Sequence, residues 1–407
     1  MNIPVVVVAY DRPMALSRLL RALQKTEYPD PVQLIISIDG GGNPEVLKVA
    51  EAYEWRFGAK EIIHHKENLG LRRHIISCGD IALEYEGVII LEDDLYVSPQ
   101  FYNYVRLATN YYNKDDAIAG IALYAHSYNE TAGFPFYPFQ DGSDVFFMQL
   151  ACSWGQCWSS NQWARFKNWL NETEKNSFTA GNPVVLPGDI ACFWSEFSWK
   201  KYFTRYMIEQ NLFFVYPRAS YTTNFGDKGQ HQNNLKNYQV PLQFGRKTPS
   251  LVKLIDSRAV YDAFCEMIPD CLSQMCPQLK PYDYCVDLFG AKLIADVASE
   301  YILTPKQNRR ALLSFGKKLL PVEANIIEKI EGNQLFLAET KDCLAVDSFI
   351  KQRDMFWNNN EEILYHYKLP LRYIEKLNND PVRFLILLLK SYRKRLGKWI
   401  TSLLFFY

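Results

Sequence analysis

Val88-Ile89-Ile90-Leu91-Glu92-Asp93-Asp94-Leu95-Tyr96-Val97-Ser98 is the stretch whose reading decides the fold. Four apolar residues in a row read as a strand buried on both faces, and three consecutive carboxylates close it at its carboxyl end. Adjacent acids repel one another, so such a run asks for compensation. A hard divalent cation that also holds a phosphate-rich ligand would supply it. The plainer alternatives are a solvated loop or a cap on the helix that begins near Pro99.

Upstream, strands and helices alternate. Pro4 to Ala9 is a Val-rich strand that ends in Tyr10-Asp11-Arg12-Pro13, and a helical pattern follows to Lys25 with Leu16, Leu19, Leu20 and Leu23 on one face. Gln33 to Ile38 is a second strand, closed by Asp39-Gly40-Gly41-Gly42; a helix over Pro44 to Tyr53 follows, then a strand over Glu61 to His64. Asn68-Leu69-Gly70 opens a helix over Leu71 to Tyr85, and the strand at Val88 comes next. This alternation predicts an α/β fold, a mostly parallel sheet with helices on both faces. Ligands of such sheets sit beyond the carboxyl ends of the strands. Asp11-Arg12, Asp39, the Asn68–Gly70 loop and Glu92-Asp93-Asp94 all fall there. A dinucleotide fingerprint and a phosphate loop are both absent from the sequence.

After Asp94 the chain becomes irregular and aromatic. Cys152-Ser153-Trp154 precedes a Trp-rich stretch that runs to Trp169, and Asp189 and Glu196 lie among Phe193, Trp194, Phe197 and Trp199. Carboxylates there would be desolvated, their pKa raised toward that of a general base; a helix cap and an exposed helix residue are the bland readings. Asn224 to His231, with Lys228 between two glycines, reads as a polar loop able to close over phosphates. Beyond it, Val252 to Met267 and Asp283 to Val297 look helical, and Leu319 to Ile327 resembles the start of a short strand. The expected domains are residues 1–245, catalytic, and 246–407, mainly helical, with a basic amphipathic tail over 381–407.

Composition bounds the function. Lys plus Arg and Asp plus Glu are 45 each, so no global field draws the chain to nucleic acid, and any anion site is local. The 9 cysteines are scattered with no CxxC pair, as expected of reduced thiols. With no signal peptide and no long apolar stretch, the expectation is a cytoplasmic protein. The tail places Lys390, Arg393, Lys394, Arg395 and Lys398 between apolar blocks, which suits peripheral contact with the inner face of the cell membrane as well as packing on a partner.

Taken in order, Pro-Val-Val-Val-Val-Ala-Tyr-Asp-Arg-Pro, Ile-Ser-Ile-Asp-Gly and Glu-Asp-Asp-Leu-Tyr-Val-Ser-Pro-Gln-Phe resemble the GT-A fold glycosyltransferases, specifically the N-acetylglucosaminyltransferase I family and its bacterial relatives. The resemblance covers roughly residues 3 to 235. It implies a GT-A fold, Rossmann-like, and a metal-dependent inverting transfer of a hexosyl or N-acetylhexosaminyl group. The donor would be a nucleotide diphosphate sugar, UDP-linked, and the acceptor a hydroxyl of a glycan or lipid-linked molecule in surface polysaccharide synthesis. By position it puts Asp39 on the uracil, Arg12 on the diphosphate, and Arg73 and His74 on the nucleotide. Glu92 and Asp93 would meet the ribose and donor sugar, and Asp94 the metal, Mn2+ or Mg2+. Ser153-Trp154 would lie beside the acceptor, and the loop with Lys228 and His231 over the donor. The base departs from the family pattern: Ser195-Glu196 stands where the family has Asp-Asp, so Glu196 is the nominal base and Asp189 its rival. A sugar-phosphate nucleotidyltransferase and a carbohydrate-binding protein with a decayed donor site are the alternatives.

Overall fold

The computed structural model describes residues 3–175, 184–227 and 239–344, with backbone alone at 174–175, 189 and 192–193. The expected alternation is present. Strand β1 (Val5–Ala9), helix α1 (Pro13–Leu23), β2 (Leu34–Ile38), α2 (Pro44–Ala52), β3 (Lys60–His64), α3 (Gly70–Asp80) and β4 (Gly87–Glu92) follow one another. β1 and β2 bury all of their residues, as do the first five of β4, which is why continuous β-branched runs settle in the middle of the sheet. α1 starts at Pro13, whose fixed φ and missing N–H suit a first helical turn, and it buries Leu16, Leu19, Leu20 and Leu23. α2 is capped by Asn43, whose side chain accepts from the Glu45 N–H at 2.9 Å.

Beyond β4 come β5 (Leu95–Val97), α4 (Phe101–Tyr112), β6 (Ile118–Ala122), the short hairpin β7 (Tyr128–Asn129) and β8 (Phe134–Pro135), β9 (Val145–Met148) and β10 (Gln156–Ser159). Then follow α5 (Ser160–Lys175), α6 (Gly188–Phe193), α7 (Trp199–Glu209), β11 (Phe213–Pro217), β12 (Thr222–Asn224) and β13 (Val260–Tyr261). The main sheet has nine strands in the order β13-β9-β11-β6-β10-β4-β1-β2-β3. β4-β1-β2-β3 are parallel throughout. β10 runs antiparallel between β4 and β6, with Gln156 opposite both Ile90 and Ala122. The segment just before β10 therefore arrives at the same edge as the carboxyl ends of β4 and β6. Trp158 of β10 anchors an aromatic layer with Trp163, Trp199 and Phe203, at centroid distances of 4.7, 5.6 and 5.5 Å.

Past residue 245 the expected architecture is corrected. Val260–Tyr261 pairs with β9 in the main sheet, and β14 (Tyr284–Val286), β15 (Tyr301–Thr304), β16 (Ala311–Phe315) and β17 (Leu335–Glu339) form a second sheet in the order β14-β15-β17-β16. The helices expected over Val252 to Met267 and Asp283 to Val297 are not formed. Short apolar runs there meet strand partners, a choice that periodicity alone cannot settle. Conversely Leu319 to Ile327, expected to begin a strand, contains a helical turn at α9 (Ala324–Ile327), after α8 (Pro269–Met275). Residues Met1–Gln352 form one compact unit, so the chain does not divide near 245; the second unit, Arg353–Tyr407, holds the 381–407 tail and lies outside the described residues. Among the described residues no helix is long and apolar enough to cross a membrane, and every cysteine whose side chain is described is a free thiol.

One buried acid carries a pH signature. Glu323 accepts from the Tyr261 hydroxyl at 2.7 Å, and burial pushes its carboxyl up to about 7. The unfolded chain releases that proton near pH ~4.3. Between the two values the folded state binds more protons, so this contribution to stability is complete below the unfolded value and is lost as pH rises through 7. Glu323→Gln is expected to flatten the fall in melting temperature between pH 5 and 8, removing on the order of 3 kcal/mol of pH-dependent stability. An unchanged profile in a pH series of thermal melts would show that Glu323 titrates normally.

Candidate active site

The acids at the end of β4 are met by Arg12, three residues past the end of β1. Its Nη1 donates to Asp94 Oδ2 at 2.9 Å and its Nη2 forms an ion pair with Asp93 Oδ1. Asp93 and Asp94 are buried, and the Asp93 N–H donates to the Val8 carbonyl at 3.0 Å, so the acid run is stitched to β1 by backbone. Burial pulls the Arg12 guanidinium down, and Asp93 and Asp94 more than reverse it, so it stays charged. Burial pushes Asp93 up to about 6 and, with the charge of Asp94, Glu92 up to about 8; Arg12 opposes both shifts. The repulsion anticipated from three adjacent acids is thus present, and one guanidinium offsets only part of it.

Asp94 Oδ1 is buried and has no hydrogen-bond partner among the described residues. A lone carboxylate oxygen in that condition is costly unless a cation or donor meets it. Among the described residues no group of three His, Cys, Asp or Glu side chains is arranged to hold a metal. The donor set therefore fits a divalent ion that takes one protein oxygen and draws its remaining ligands from phosphate and water.

Asp39, at the end of β2, is also buried. Its Oδ1 accepts from the N–H groups of Gly40 at 2.9 Å and Leu69 at 2.7 Å, and its Oδ2 from Gly70 at 3.1 Å. A carboxylate has about four lone-pair sites, so roughly one remains for a ligand donor. The glycine run permits the close approach: a Cβ on Gly40 would lie 2.4 Å from the Glu67 carbonyl carbon, and one on Gly42 2.0 Å from the Tyr10 carbonyl oxygen. Asn68 Nδ2 donates to the Tyr10 hydroxyl at 3.1 Å, tying the loops after β1 and β3 together. Asp39→Asn would turn an acceptor into a donor facing backbone N–H groups. It is expected to cost about 2 kcal/mol of stability, read as a lower denaturation midpoint; an unshifted midpoint would mean the clamp is unimportant.

The Arg73-His74 pair divides. Arg73 is exposed, its Nε donating to the Leu69 carbonyl at 2.7 Å. His74 is buried, with Nε2 2.8 Å from Ser37 Oγ and its ring 5.2 Å from His65. Burial lowers it to about 4, so it is neutral. The nucleotide-contact reading of His74 is corrected to a core histidine braced on β2. Consecutive helical residues point about 100° apart, so one position of such a pair turns inward here.

Glu196 needs the larger correction. Its side chain is 72% exposed and paired with Lys201, and the Tyr202 hydroxyl donates to its Oε2 at 3.3 Å. The Lys201 contact first, then its charge, hold the carboxyl below the usual carboxylate range despite some burial. This is the opposite of the desolvated base expected from the surrounding aromatics: Trp199 is buried, but Phe197 is exposed as Glu196 is, so the rings next to it in sequence do not enclose it. Asp189 stands on α6, and its side chain lies outside the described residues, as do Lys228 and His231. The stem of their loop is in place: the Phe225 N–H donates to the Asp94 carbonyl at 3.1 Å, and β12 pairs with β5 next to the acid run.

Lys200 is the residue that sequence reading missed. It lies on α7 with its ammonium 4.4 Å from the Trp194 ring centroid and 5.6 Å from that of Trp154, and its charge acts on Glu92. Nothing local in the sequence marks it; only the antiparallel insertion of β10, which carries Trp154 to this edge, could have pointed there.

No protein-family model matches the sequence, and no curated protein matches it. Among solved structures it is similar to S. aureus TarS, at 13% identity over 55% of this chain and 36% of that one, with a TM-score of 0.35. TarS 1-349 in complex with UDP-GlcNAc is 13% identical over 57% of this chain and 60% of that one, TM-score 0.36. The mannosyltransferase PcManGT from Pyrobaculum calidifontis, in complex with GDP-Man and Mn2+, is 11% identical over 57% and 59%, TM-score 0.35. The matched region spans less than two thirds of each of these chains. None of the three names the N-acetylglucosaminyltransferase I family.

Proposed function

We propose that the chain is a glycosyltransferase that takes a sugar from a nucleotide diphosphate donor, UDP-linked, and transfers it with inversion to a hydroxyl of a glycan or lipid-linked acceptor. The observation that carries this is the orphaned Asp94 Oδ1 beside Arg12, at an edge that also holds the Asp39-clamped loops. A buried carboxylate oxygen without a donor, next to a guanidinium, suits a metal-bound diphosphate better than it suits packing. A divalent cation held by Asp94 would, when bound, neutralise charge on the departing diphosphate. Arg12 would lend its remaining N–H donors to the same phosphates. Asp39 would offer its remaining acceptor site to an N–H of the base.

Transfer forms a bond between the acceptor oxygen and C1 and breaks the bond from C1 to phosphate oxygen, the electron pair leaving with the diphosphate. The hydroxyl proton must pass to a base on the far side of the sugar. Glu196 is turned to solvent and held by Lys201, so we assign the proton to Glu92. It ends β4, and its charge interacts with those of Arg12 and Lys200. The surrounding acids match no glycine- and basic-rich loop of the kind a nucleotidyltransferase needs after its first strand.

The test is release of nucleoside diphosphate from a panel of sugar nucleotides with Mn2+, followed by NMR of the product's anomeric configuration. Turnover of one donor with inversion supports the assignment. Retention removes the single-displacement step, and release of pyrophosphate from a nucleoside triphosphate would instead identify a nucleotidyltransferase.

A further inference from the structure

Lys200 and Arg12 flank the acid run from opposite sides. Arg12 follows β1, whereas Lys200 lies against Trp154, which enters the β4–β10–β6 side of the sheet edge. Its charge reaches Glu92, Cys152 and His126, the last just after β6. Two ring faces hold the ammonium in place, and Trp154 is itself braced edge-on by Tyr124 at 4.6 Å. Ring faces stabilise the charge but accept none of the three N–H groups of an ammonium in a strong hydrogen bond. Among the described residues Lys200 makes no ion pair and no hydrogen bond, whereas its neighbour Lys201 is paired with Glu196. A second polar atom in the same corner is also without a partner: His126 is buried, and its Nε2 has none among the described residues. Burial first, then the charge of Lys200, lowers His126 to about 3, so it is neutral and cannot answer Lys200 with charge of its own.

We propose that this corner is a subsite for an acceptor sugar bearing an anionic substituent, a phosphate or a carboxylate, and that Lys200 is the residue that selects it. The inference rests on the glycosyltransferase reading, which places the donor diphosphate on the Arg12 flank and leaves the β10–β6 flank to the acceptor. A neutral sugar would leave a fixed, aromatic-held ammonium without an anionic partner; a charged oxygen supplies a strong acceptor.

The protein, saturated with UDP and Mn2+, is titrated by saturation-transfer NMR with methyl glucoside, methyl glucuronide and glucose 6-phosphate. The wild type should bind at least one charged sugar about tenfold more tightly than the neutral one, and whichever it prefers identifies the substituent. Lys200→Met should lose that preference and Lys200→Arg keep it, with UDP affinity measured on each variant. Equal binding of all three sugars to UDP-loaded wild type overturns the subsite and leaves the donor assignment standing. Loss of UDP binding in Lys200→Met would assign Lys200 to the diphosphate and overturn it as well. Failure of the wild type to bind UDP would remove the glycosyltransferase reading and this inference with it.

Discussion

Asp94→Ala is expected to reduce sugar-nucleotide turnover by about a thousandfold or more while leaving a folded protein. The two halves of that result have separate origins. Arg12 retains its ion pair with Asp93 when Asp94 is shortened, and the backbone bond from Phe225 to the Asp94 carbonyl does not involve the side chain. The β4 edge therefore keeps its connections. What disappears is a buried carboxylate oxygen that no group among the described residues satisfies. In a purely structural site its removal would relieve a desolvated, repelled charge and leave the protein more stable with no catalytic consequence. The two accounts separate in paired measurements of melting temperature and of UDP affinity with and without Mn2+. Metal-dependent affinity in the wild type that vanishes in Asp94→Ala supports the donor site; a variant that turns over normally would end the metal assignment.

Glu92→Gln is the second large effect. Glutamine matches the shape of the side chain and keeps an oxygen toward Arg12, but it cannot take a proton. A loss of general-base assistance is worth roughly a hundredfold to ten-thousandfold. Transfer should fall by that amount while UDP affinity changes far less. Glu196→Gln, by contrast, should cut transfer by less than about threefold, in keeping with an exposed pair worth little. If the two variants behave in the reverse way, the base is Glu196, and its ion pair with Lys201 must open when the acceptor binds. If neither impairs transfer, Asp189 becomes the candidate.

The sheet was legible in the sequence wherever a strand is buried on both faces. Val5–Ala9, Leu34–Ile38 and Gly87–Glu92 are runs that no amphipathic helix would tolerate, and the polar residues that follow them fall at one edge by topology. Arg12, Asp39, Asp93 and Asp94 are brought to that edge in this way. The rest depended on contacts between residues distant in sequence. Glu196 stands among aromatics in the chain and in solvent in the fold, because it lies in the turn between α6 and α7, where neighbours in sequence do not decide what a side chain packs against. His74 reads in the sequence as a ligand contact, yet its ring nitrogen is engaged by the Ser37 hydroxyl of β2. Lys200 has no motif; its significance comes from Trp154, delivered by a strand that runs against its neighbours, and from Trp194, six residues earlier in its own chain. The strands beyond residue 250 escaped notice because short apolar runs have no period of their own.

The account stands most directly on calorimetric titration of UDP into the protein in Mn2+ and again in EDTA. It predicts one saturable site whose affinity falls by at least about tenfold when the metal is removed. No UDP binding in Mn2+, or binding of equal strength in EDTA, would contradict the assignment of Asp94 and Arg12 to a metal-bound diphosphate.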